Sequence, residues 1–248
     1  MEESFGQLEE QAKQAATLDE LFCLWKDAHA AEANAEGNTF PLLHEKGKAP
    51  QEPNDPRFKE SFCPDGAASF DRKHLQSEKT KVVFVLKESH LEKTSKVNCA
   101  AQLDKYFWFG ECDQDDKSYK RYAGNLKKAM RALGEEVQDD PFGYVNLNKR
   151  GGFGRTDYTR LKNYAKRYRA FLKRQLALMV PEKIVFCGCY DGAAEYLFEF
   201  CDNKDKKWRR QPVYARLEGK PVTLYYIYHP ACTRFEKSLE YLKNQPEL

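Results

Sequence analysis

Four stretches of the chain are short and almost wholly apolar: Lys81 to Leu86, Phe142 to Leu147, Lys183 to Cys187 and Val222 to Tyr228. Runs of this length, rich in β-branched and aromatic residues and bounded by polar ones, fill strands that are buried on both faces. Between them the pattern has the period of a helix, over Tyr119 to Leu133, Tyr158 to Met179, Asp191 to Cys201 and Cys232 to Lys243. Gly134 and Pro181 stand just past two of these segments as stop signals. Strands alternating with helices predict an α/β fold, a three-layer α/β/α sandwich around a mainly parallel, four-stranded sheet.

Ahead of the first strand, Leu18, Leu21, Phe22 and Trp25 form one apolar stripe within a run of helix formers from Leu8 to Ala35, which predicts a docked helix. Five prolines between Gly37 and Asp71 then favour irregular, extended chain. The expected organisation is a helical and irregular extension over residues 1–75, packed on an α/β unit over residues 76–248. A chain of 248 residues is long enough for one substantial core and short for two.

Composition narrows the class. Charged residues make up 32% and hydrophobic ones 41%, as in a globular protein with a well-solvated surface. The longest clean apolar run, Val82 to Leu86, is far short of the roughly 20 residues that a bilayer-crossing helix needs, so no membrane association is expected. Met1 to Gln14 is acidic and polar and lacks the pattern of an export signal, so a cytoplasmic, intracellular location is expected; the partner expected is DNA, with the chain a monomer. None of the eight cysteines forms Cys-x-x-Cys, which predicts reduced and mostly buried thiols, with neither metal nor other cofactor. The net charge is only +3, so affinity for nucleic acid must come from local clusters.

In an open parallel sheet, ligands collect beyond the carboxyl ends of the strands. Four such positions carry chemistry: Lys87-Glu88-Ser89-His90, Asn146 to Gly152, Gly188-Cys189-Tyr190, and His229-Pro230-Ala231. An amide donates to and accepts from a heterocycle edge. A carboxylate facing an imidazole suits a cleavage that builds positive charge on a sugar and negative charge on its leaving group. Taken one at a time, Glu88 reads equally as a capping carboxylate, Asn146 as a turn former and His229 as a hydrogen-bonded structural residue. Their placement at one sheet edge favours a shared site.

The order of these segments over residues 81 to 243 resembles the uracil-DNA glycosylase superfamily. Val82-Val-Phe-Val-Leu-Lys-Glu-Ser-His is similar to its first motif, with Glu88 in the place of the water-activating aspartate. Ala123-Gly124-Asn125-Leu126 resembles the Ala-Gly-x-Leu helix of the iron–sulfur branch, and Asn146-Leu147-Asn148-Lys149 that branch's Asn-x-x-Lys segment. Pro181 to Gly188 resembles the strand before the phosphate-touching turn, and His229-Pro230-Ala231 the His-Pro-Ser or His-Pro-Ala motif. The resemblance implies that Glu88 activates water, Asn146 reads a flipped base and His229 stabilises the departing base. It also implies that the amides of Gly188, Cys189 and Tyr190 face a phosphate, and that Arg234 or Phe235 probes the duplex.

Several positions depart from that pattern. Arg150, not cysteine, follows Lys149, and no N-terminal cysteine pair exists, so no iron–sulfur cluster is expected. Leu86 replaces glycine, Ser89 replaces proline or alanine, and His90 stands where a tyrosine guards the C5 position of uracil. These changes predict a pocket for a modified pyrimidine, with Lys87, Ser89, His90 and Lys149 among its contacts. Trp108 is the candidate stacking platform, with core packing as the other reading. For DNA, the glycine-rich segment Gly151 to Arg155 offers amides from Gly152 and a cation at Arg155, while five basic residues lie between Lys204 and Arg210 beside Trp208. A module that binds modified bases without cutting is the alternative. A dinucleotide site is disfavoured because no G-x-G-x-x-G turn follows the first strand.

Overall fold

The computed structural model describes residues 4–34, 62–68, 80–90, 117–137, 141–152, 156, 158–201 and 211–245. They form a mixed α/β fold whose sheet has the strand order β1-β3-β2-β4-β7-β6-β5. The strands are β1 (Gly66–Ala68), β2 (Val82–His90), β3 (Phe142–Gly152), β4 (Lys183–Cys187), β5 (Glu199–Phe200), β6 (Val213–Leu217) and β7 (Lys220–Ile227). The four apolar runs are the four mutually parallel strands, β3, β2, β4 and β7. The sheet is larger than the expected four strands because β1 pairs antiparallel with β3 at one edge, and β6 and β5 extend the other edge antiparallel.

Alternation along the strands divides the core. Val83, Val85, Val145, Leu147, Ile184 and Phe186 face one cluster, built with α1 (Phe5–Gln14), α2 (Leu18–Asn34), α4 (Tyr158–Arg167) and α5 (Arg169–Met179). Val82, Phe84, Leu86, Phe142, Val185 and Ile227 face the other, built with α3 (Lys117–Ala132) and α7 (Phe235–Lys243). The sheet is therefore covered by helices on both faces. Strands β2 and β3 approach closely at Gly143, where an added Cβ would collide with side-chain atoms of Val83 and Met179.

Three helical expectations are corrected. The N-terminal run is two helices, because Thr17 and Glu20 cap the second. The Thr17 hydroxyl accepts the Glu20 N–H at 3.2 Å, and the Glu20 carboxylate accepts the Ala16 N–H at 2.7 Å. The run from Tyr158 divides at Tyr168, a fully buried residue stacked on Tyr164 at 4.5 Å between ring centroids. Asp191 to Cys201 is not one helix but a 3₁₀ turn (Tyr190–Gly192), the one-turn α6 (Ala194–Leu197) and strand β5. Residues 62–68, expected in an extension outside the α/β unit, supply its edge strand β1. Among the described residues no helix is long and apolar enough to cross a membrane.

Candidate functional site

The chain leaves β2 toward β3 on one side and later reaches β4 on the other, so the carboxyl ends of β2 and β4 flank a switch in strand order. Such a switch opens a crevice in a parallel sheet. The segments expected there as loops are still strand: Leu86 pairs with Asn146, Glu88 with Asn148 and His90 with Gly152. Polar residues at strand ends that leave the core look like loop in a sequence, yet they remain in the ladder here. Alternation from Val85 turns Lys87 toward α4, and Glu88 follows it at the end of the regular register. The Lys87 ammonium lies 4.8 Å from the ring centroid of Tyr158, the first residue of α4.

His229 follows β7 on the α3 side. Its Nδ1 accepts the Ala231 N–H at 3.3 Å, which leaves Nε2 to carry the proton of the neutral ring. Burial, reinforced by the nearby Lys87 charge, pushes its pKa down to about 4, so the imidazole is neutral at physiological pH. The turn is fastened on two sides: Asn125 in α3 donates to the Pro230 carbonyl at 2.6 Å, and the Tyr228 N–H donates to the Ser238 hydroxyl at 2.9 Å.

Asn146 is buried, and its backbone N–H donates to Asp65 Oδ2 at 2.6 Å. Its side chain hydrogen-bonds the phenol of Tyr144, which also meets the Tyr122 hydroxyl at 3.3 Å. Tyr122, in α3, completes the chain, with its ring centroid 5.6 Å from that of His229. Two strands stand between β3 and β7, so at about 4.8 Å per strand gap their backbones are roughly 14 Å apart. Tyr122 spans that interval and joins the amide end of the site to the imidazole end. Burial holds both phenols un-ionised.

Several expected contacts are placed elsewhere. Lys149 is fully buried on the opposite face, where its ammonium is ion-paired with Asp65 and lies 5.4 Å from the Trp25 ring centroid, so it faces no substrate. Burial lowers its pKa, and the Asp65 carboxylate opposes that shift. The Gly188 amide donates to the Ile227 carbonyl at 2.8 Å rather than facing a phosphate, in a left-handed conformation with φ of 73° that suits glycine. Cys189 turns its thiol into the core toward the Val85 carbonyl at 3.2 Å. Tyr190 is buried, with its ring 5.2 Å from that of Phe186, and burial pushes its phenol up to about 12. The Cys189 and Tyr190 side chains thus serve the core.

Ser89, His90 and Gly152 are placed by their backbones in the β2–β3 ladder. Arg234 is exposed at the start of α7. Trp108, Arg155 and the basic segment from Lys204 to Arg210 lie outside the described residues. Asn146 and His229 therefore share one edge and the α3 face of the sheet, and Glu88 stands at the same edge. Sequence reasoning missed Asp65, Tyr122, Tyr144 and Tyr158. Tyr122 directly precedes the Ala123-Gly124 motif and carried a usable signal; Asp65 lies in a proline-rich stretch without periodicity and carried none.

No family model matches the chain, and a search of curated proteins finds no match.

Proposed function

We propose that the protein is a DNA-base glycosylase of the uracil-DNA glycosylase type, acting on a flipped, modified pyrimidine in antiviral defence or base-excision repair. The observation that carries this reading is His229, with Nδ1 taken by the Ala231 N–H and a pKa lowered by burial, at the same sheet edge as Asn146 and Glu88. A neutral imidazole donates a hydrogen bond to a base oxygen as negative charge gathers on the departing ring. The Asn146 amide inspects the base edge, and its strand is held in place by Asp65.

In the reaction, the N-glycosidic bond breaks and its electron pair leaves with the base, giving the sugar oxocarbenium character. The Glu88 carboxylate stabilises that charge and orients a water, which bonds to the sugar carbon and passes its proton to Glu88. Protonation of the released base completes the balance and leaves an abasic site. Outside this pocket, Tyr158 is 54% exposed, with Lys87 against its ring, and offers a flanking nucleotide an aromatic face.

The test is to incubate the full chain with naturally modified genomic DNAs and with oligonucleotides bearing candidate pyrimidines, scoring free base and abasic sites. Glu88→Gln, Asn146→Ala and His229→Ala should each lower release about 100-fold or more while the proteins stay folded. Tight binding with no release from any DNA would instead establish a module that reads bases without cutting. Unchanged rates in all three variants would remove the site assignment.

A further inference from the structure

At the other edge of the sheet, the end of α3, the start of β4 and the outer turns of α7 surround a cavity of about 880 Å³. It opens beside Glu182 and Lys183, at the amino end of β4, so the length of that strand, roughly 15 Å, separates it from the strand ends described above. Its size falls within the roughly 300–1,000 Å³ usual for small-molecule sites. Leu133, Leu239 and Leu242, all part of the apolar cluster on this face, form its hydrocarbon wall.

Tyr225 of β7 also lines the cavity and is only 4% exposed, yet its hydroxyl makes no hydrogen bond among the described residues. Burial, with the Tyr214 phenol nearby, raises its pKa, so it stands as an un-ionised donor. A phenol this deeply buried is expected to find a partner, and the protein supplies none.

The charged groups around the cavity are unevenly committed. Lys128 is paired with Glu236 at 2.7 Å, and Lys183 with Glu135 at 2.7 Å and with the Leu133 carbonyl at 2.8 Å. The side chains of Arg131, Lys243 and Glu182 have no hydrogen bond or ion pair among the described residues, which leaves two cations against one carboxylate. Arg131 and Lys243 stand in the last turns of α3 and α7, where a cation suits a helix end. Three of the carbonyls there are already bonded, however: Met130 accepts the Glu135 N–H and Arg131 the Gly134 N–H, both at 3.1 Å, and Leu242 accepts the Gln245 N–H at 3.3 Å.

We propose that this cavity is a ligand site for a small organic anion, with its apolar body on Leu133, Leu239 and Leu242, an acceptor atom on the Tyr225 hydroxyl, and a carboxylate, sulfonate or phosphate group held by Arg131 and Lys243. The site shares no side chain with Glu88, Asn146 or His229 and stands whether or not the glycosylase reading does.

The test is a fluorescence titration of the full-length protein with anilinonaphthalene sulfonate, an anion with an apolar body, and with the uncharged phenylnaphthylamine. Saturable binding at one site is expected, with the sulfonate about tenfold or more tighter than the amine. Arg131→Gln combined with Lys243→Gln should remove that preference, and Tyr225→Phe should weaken the sulfonate severalfold while keeping the ring and its packing. Lys166→Gln combined with Arg169→Gln makes the same change of net charge at exposed positions of α4 and α5 and should leave both affinities as they were. Absence of saturable binding, equal affinity for the two probes, or an equal loss in the two double variants overturns the proposal.

Discussion

The two faces of the sheet treat buried polar groups in opposite ways near the strand ends. Toward α4 and α5 the polar groups are charged and tied to one another. Asp65 takes Lys149 and the Gln175 amide on one oxygen and the Asn146 N–H on the other, while Glu32 is bonded by Arg167 and Tyr168 and lies 3.7 Å from Arg150. Toward α3 and α7 the groups in contact are neutral: two phenols, an amide and an imidazole whose pKa burial lowers to about 4. Buried charges paired with one another hold a backbone in place. The neutral groups on the other face carry no such pairing of opposite charges. Asn146 takes part in both arrangements, with its backbone bonded to the charged face and its side chain to the neutral one.

The sharpest way to break this contrast is Asp65→Ala, which leaves the Lys149 ammonium buried without its carboxylate and should cost about 3–5 kcal/mol in urea denaturation. Asp65→Leu combined with Lys149→Met should recover most of that loss, whereas a persistent defect would show that the pair does more than fix the backbone.

A smaller effect is expected on the neutral side. An unfolded chain protonates its imidazole near pH 6.5, while folded His229 resists protonation until about pH 4, so its contribution is present above pH 6.5 and is lost as pH falls through that interval. Removing the titration in His229→Asn should flatten the acid side of the stability profile by roughly 2 kcal/mol, and an unaltered slope would show that the imidazole is already charged in the fold. Smallest of all, Lys128→Ala deletes an ion pair with Glu236 in which both side chains are largely exposed, and should change stability by less than about 1 kcal/mol.

Much of the architecture was legible because burial on both faces forces continuous apolar runs. Val82 to Leu86 and Lys183 to Cys187 have no other reading, and the four parallel strands follow from them and their two counterparts. The added strands left no such trace: Gly66–Ala68 and Glu199–Phe200 are too short for any period, and in β6 only Ala215 and Leu217 are buried. The break at Thr17 was readable, since Thr17-Leu18-Asp19-Glu20 has the spacing of a capping box inside a run of good helix formers. For the site, the placement of Glu88, Asn146 and His229 at one edge of the sheet could be read from strand order. The burial of Lys149 could not, because its partner Asp65 lies 84 residues earlier in a segment with no pattern.

The hydrogen bond from Asn125 to Pro230 joins positions 105 residues apart. During synthesis, the helix carrying Asn125 emerges long before the turn that fastens it, and β7 must first insert between β4 and β6. A nascent or truncated chain ending before that turn would carry an unfinished crevice, so any chemistry at this edge switches on late in biogenesis, once the distant halves of the fold have met.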